Sequence, residues 1–109
     1  MKNQLLEKER AIQEQIDLLR DSLSHFENTW VTYESEERAE PWVSKKGVFY
    51  DTKGCETISM VILEKFEELA QRCREHEPFQ LYTNYRVTTD EEWGLVVKFN
   101  VFTRLTDEG

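Results

Sequence analysis

The side chains best able to do chemistry in this sequence are His25, Cys55, Cys73 and His76. Four soft donors are the number a structural zinc needs, and Cys73-x-x-His76 would set two of them on one helical face. No Cys-x-x-Cys knuckle accompanies them. Cys73 continues an apolar stripe and His76 falls where a helix ends, so a small core thiol and a helix-end imidazole are the plainer reading. The pair is also a poor Cys–His nucleophile. A reactive thiol wants a helix N-terminus or cationic neighbours, whereas Cys73 falls in the last turn of its expected helix, beside exposed carbonyls. Cys55 lies nearer a helix start but has no histidine close in sequence. Neither a metal nor a cofactor site is expected.

Carboxylates come in runs: Glu34, Glu36, Glu37 and Glu40; Glu64, Glu67 and Glu68; Asp90, Glu91 and Glu92. A desolvated pair can act as general acid and base. Each run falls in a loop, a turn or the wet face of a helix, where solvated charge is the better explanation. The glycines, Gly47, Gly54, Gly94 and Gly109, form neither a G-x-G-x-x-G nor a P-loop. Fourteen basic against twenty-two acidic residues give a net charge of −8. That charge repels phosphate backbones, so direct nucleic-acid binding is not expected. It suits solubility, a basic or nucleic-acid-binding protein partner, or mimicry of nucleic acid. The candidate mimic surface is Glu34, Glu36, Glu37, Glu40, Asp90, Glu91 and Glu92, with Asp107 and Glu108 beyond it.

The elements that must carry these residues are read from periodicity. From Phe79 to Leu105 the odd positions are Phe79, Leu81, Thr83, Tyr85 and Val87, then Trp93, Leu95, Val97, Phe99, Val101, Thr103 and Leu105. The even positions are mostly polar, and a break at Thr88–Glu92 divides the run. A two-residue period on both sides of an acidic turn predicts a long antiparallel hairpin with one face on a core. The nominally wet face nonetheless carries Tyr82, Val96 and Phe102. These, with Trp42, are the candidate outer-face contacts, because association surfaces are enriched in aromatics.

Residues 3–27 read as an amphipathic helix seamed by Leu5, Ile12, Ile16, Leu19, Leu23 and Phe26, with Glu9 where the repeat wants an apolar residue. At about 1.5 Å per residue such a helix is longer than a ten-residue strand, so it is expected to overhang its sheet and serve as an association helix. Trp30–Glu36 reads as a strand dissolving into a charged loop closed by Pro41. Trp42-Val43, the turn-like Ser44-Lys45-Lys46-Gly47 and Val48-Phe49-Tyr50 read as a short hairpin, or as a loop followed by a strand. Residues 56–76 read as a second helix with Ile58, Ile62, Phe66, Leu69 and Cys73 on one face. Its first part, apolar all round, admits either a buried helix start or a strand.

The expected fold is therefore one α+β domain: two helices packed on an antiparallel sheet of about four strands, in the order α-β-β-α-β-β. A chain of 109 residues is of single-domain size. Two cysteines and no apolar leader at the N-terminus point to a reducing cytoplasm, and no stretch is long enough to span a membrane. The functional expectation is a non-catalytic, acidic protein–protein interaction module. It would form a homodimer through its first helix and act as a regulator, adaptor or inhibitor. The alternative is a small-ligand binder or small enzyme with a cavity between helix and sheet, lined by Trp30, Tyr33, Trp42 and Tyr85, with His25 or a buried glutamate as acid–base group.

Overall fold

A computed structural model describes residues 2–24, 29–39, 42–51, 60–91 and 94–104. Its elements run α1 (Lys2–Leu23), β1 (Thr29–Ala39), β2 (Trp42–Asp51), α2 (Met60–Glu75), β3 (Tyr82–Asp90) and β4 (Gly94–Arg104). The class is α+β, two helices with an antiparallel sheet. Strand order is β1-β2-β4-β3, so the hairpins β1–β2 and β3–β4 lie side by side and join along β2 and β4. Among the described residues no helix is long and apolar enough to cross a membrane.

The C-terminal hairpin follows its two-residue period. Leu95, Val97, Phe99 and Val101 of β4 are buried, as are Val43 and Phe49 of β2 on the same face. Both helices cover that face: Ile12, Ile16, Leu19 and Leu23 of α1 and Ile62, Phe66, Leu69 and Cys73 of α2 join the same cluster. Phe66 is its hub, with ring centroids 5.9 Å from Phe49, 5.6 Å from Phe99 and 5.4 Å from Tyr85. Gly94 opens β4 at φ 80°, a left-handed conformation that a side chain would oppose. The Glu77–Pro78 peptide before β3 is cis.

The first hairpin departs from expectation. β2 is one continuous strand through Ser44–Gly47, and β1 extends through the charged stretch to Ala39. Register explains both: Lys45, Lys46 and Gly47 have strand partners on each side, Glu36, Ser35 and Tyr33 on β1 and Val101, Asn100 and Phe99 on β4. A ladder on both edges outweighs the turn preference of Ser-Lys-Lys-Gly. The register slips between Tyr33 and Ser35, so β1 carries a bulge at Glu34. Gly47 has another purpose than turning: a Cβ there would lie 2.4 Å from Cζ of Phe99. The missing side chain is the space the phenyl ring occupies.

The first helix also differs. Its twenty-two residues span about 33 Å, close to the eleven-residue β4 at about 36 Å. The seam is polar in two places that periodicity alone would fill with apolar residues. Lys8 is fully buried, with Nζ donating to the Arg104 carbonyl at 2.9 Å and lying 5.5 Å from the Phe79 ring centroid. Gln15 is buried and accepts from Arg72, Nε to Oε1 at 2.9 Å, while Nη2 of Arg72 reaches the Gln15 carbonyl at 3.3 Å. Lys45 of β2 donates to Gln13 at 2.7 Å. These bonds tie α1 to β4, to α2 and to β2 along its length, and a buried polar group is tolerated only when so satisfied.

In α2 the residues 60–63 are helical, and 56–59 lie outside the described residues. The apolar start is not a buried one, since Met60 is 70% and Val61 49% exposed.

Candidate functional site

Among the described residues the most reactive side chains do not assemble. Cys73 is buried among core side chains, and burial pushes its thiol up to about 11, with Arg72 and Arg74 opposing only in part. Desolvation, more than the carbonyls of the helix end, keeps this thiol inert. His76 is engaged through Nδ1 with the Phe79 carbonyl at 3.0 Å and stacks on that ring. His25 and Cys55 lie outside the described residues. Among the described residues no three His, Cys, Asp or Glu side chains converge as a metal site would require.

Of the carboxylates, Glu64, Glu67, Glu68 and Glu91 are exposed. Glu67 accepts a hydrogen bond from the Tyr85 hydroxyl. That bond, then burial and the negative charge, push the Tyr85 phenol up to about 12. Of the candidate mimic surface, Glu40 and Glu92 lie outside the described residues, as do the side chains of Glu34, Glu36, Glu37 and Asp90.

The association helix is placed against its own chain. Ile12, Ile16, Leu19 and Leu23 are fully buried in the core and Leu5 packs against it; Phe26 is outside the described residues. This corrects the expectation of a seam open to a twin. The seam is already occupied by β2, β4 and α2, because a sheet of this width needs a second helix to cover it. The exposed apolar residues of α1, Leu6 and Leu18, stand about 18 Å apart along the helix and make no continuous patch.

The outer-face residues do come together. Cross-strand partners share a face, so Trp42, Ser44, Lys46, Val48 and Tyr50 of β2 lie beside Arg104, Phe102, Asn100, Lys98 and Val96 of β4. Tyr82, Asn84, Arg86 and Thr88 of β3 continue those rows. At one end Tyr82 and Phe102 stack at 5.4 Å, and Trp42 meets both edge-on at 6.1 and 5.5 Å. The Arg104 guanidinium lies 5.6 Å from the centroid of the Trp42 ring. Trp42 and Tyr82 remain 38% and 36% exposed. Of the four expected contacts Val96 is the exception: it is six residues from Phe102, about 20 Å along β4, and is buried, as is Val48 on the same face, so neither offers anything to a partner.

Beside the aromatic cluster is an open concavity of about 580 Å³, lined by Lys46, Asn84, Arg86, Lys98 and Asn100 together with Gly47, Tyr85 and Phe99. Periodicity placed Arg86 and Lys98 on the wet side of the sheet and left Lys46 in a turn-like stretch, with no sign that the three share a basin. The register between hairpins, which no local pattern encodes, brings them together. This concavity opens on the outer face of the sheet. Between helices and sheet the interior is filled by Phe49, Phe66, Phe99 and their neighbours. No protein-family model, curated protein or solved structure matches this chain.

Proposed function

We propose that this protein is a non-catalytic association module that binds another polypeptide through the outer face of its sheet. The observation that carries the reading is the Trp42–Tyr82–Phe102 cluster, capped by Arg104, on the side of the sheet away from both helices. Large aromatic rings left partly wet lose hydration favourably when a partner covers them, and aromatics with arginine are the side chains that dominate binding energy at interfaces. The helix seam does not serve this role, since its residues hold the core.

The test compares wild type with Trp42→Ser and Tyr82→Ser, both at exposed positions. Self-association is read by sedimentation velocity up to high micromolar concentration, and hetero-association by recovery of a defined partner from native lysate. The reading expects one of these associations to be lost in both variants while their circular dichroism stays that of wild type. Association that survives both substitutions would remove it.

A further inference from the structure

We propose that the outer face binds an extended acidic segment of a protein partner, its carboxylates on Arg86 and Lys98 and an apolar side chain on the Trp42–Tyr82–Phe102 cluster. The inference rests on the association reading above and names the partner's chemistry.

Arg86 and Lys98 are direct cross-strand partners on β3 and β4. Both are exposed and both line the concavity. Like charges directly opposite one another destabilise a strand pair, so this arrangement works against the free protein. Among the described side chains of this face, on β2, β4 and β3, there is no carboxylate to neutralise them. The composition makes the pairing more pointed, since the chain has twenty-two acidic residues and only fourteen basic ones. Lys46 adds a third positive charge to the lining, although it already has an interaction of its own. The amides of Asn84 and Asn100 sit one row away, the Asn84 backbone N–H donating to Asn100 Oδ1 at 3.1 Å.

Spacing and charge select the occupant. Phe102 and Lys98 are four residues apart, about 13 Å along β4, and an extended peptide covers that distance in about four residues. A matching segment has an apolar residue and, about four positions away, acidic ones. A nucleic acid offers anions too, but its charge continues beyond the site and meets the repulsion of a chain with net charge −8. A short acidic segment presents its few charges where the cations are.

The test is selection of a random peptide library, about twelve residues long, on the purified full chain, followed by fluorescence anisotropy of the enriched peptides. Labelled oligothymidylate and sedimentation of the chain alone are run beside it. The expected peptides are acidic with one apolar residue. Their affinity falls about tenfold or more with Arg86→Thr/Lys98→Thr, and again when their glutamates become glutamine. Added salt weakens them as well. The double substitution keeps or raises the urea midpoint, because it removes the like-charge pair, so a loss of binding is not a loss of fold. The proposal is overturned if no peptide is enriched, if enriched peptides lack acidic residues, if oligothymidylate binds more tightly, or if a second copy of the chain covers the face. Peptides lost with Trp42→Ser but indifferent to the double variant would sink the acidic chemistry and leave the association reading standing. Indifference to both would sink both.

Discussion

The two faces of the sheet follow opposite rules. On the helix-covered face, Phe49, Phe66, Phe99, Leu95, Val97 and Val101 interlock, and the polar groups that enter it are bonded: Lys8 to Arg104, Gln15 to Arg72, Thr103 Oγ1 to the Gln80 carbonyl at 2.7 Å. Among the described residues no buried side-chain nitrogen or oxygen lacks a partner. On the open face, Trp42 and Tyr82 stay partly wet and Arg86 and Lys98 confront one another. The first arrangement lowers the energy of the folded chain as far as packing permits. The second leaves favourable contacts unmade, which is how a surface reserved for something else differs from one that only solubilises.

The contrast breaks most visibly at the hub of the covered face. Phe66→Ala removes a ring that touches Phe49, Tyr85 and Phe99, and should cost about 3–5 kcal/mol by urea denaturation. Gly47→Val drives a branched side chain into the Phe99 ring and should cost about 1–3 kcal/mol. Combining it with Phe99→Leu should cost less than the sum of the two singles, because one change makes the room the other needs. Lys8→Ala and Arg72→Ala each strand a part-buried acceptor on β4 or α1 and should cost about 1–3 kcal/mol. Equal stability of Lys8→Ala and wild type would mean the tie between α1 and β4 contributes nothing.

Titration gives a smaller effect with a definite sign. Tyr85, raised from 10.0 to about 12, and Cys73, raised from 9.0 to about 11, both hold their protons more tightly folded than unfolded. Their contribution is complete below the unfolded values and disappears as pH rises through the folded ones, so stability should fall across pH 9.0 to about 12. Tyr85→Phe should flatten the upper part of that decline. Cys73 should react with a thiol reagent only as fast as the core opens, and prompt labelling at neutral pH would contradict its burial. The smallest effect on stability belongs to the open face, where Trp42→Ser should lower the unfolding free energy by less than about 1 kcal/mol while abolishing association.

Much of the fold was legible because local pattern and final environment agree. Val97, Phe99, Val101 and Thr103 alternate in sequence and in burial, and Ile62, Phe66, Leu69 and Cys73 recur with the helical period of the face they bury. The misreadings share a cause. Ser44–Gly47 looked like a turn because glycine and serine favour turns, but Gly47 answers to a ring on another strand, fifty-two positions on. Lys8 and Gln15 fall among the polar residues between the seam positions, and nothing local announces Arg104 or Arg72 as their partners. The candidate site was half visible: Trp42, Tyr82 and Phe102 stood out as too apolar for a wet face, whereas Arg86 and Lys98 were unremarkable until register set them opposite one another.

The sequence by itself determined the elements and the apolar face of each, since side-chain direction repeats with the backbone and needs no distant information. Only the tertiary structure decided that the first helix spends its seam inside the molecule, and that residues of three separate strands form one aromatic and cationic face. Contacts between residues far apart in the chain depend on how the two hairpins align, and that alignment is a property of the whole packed core.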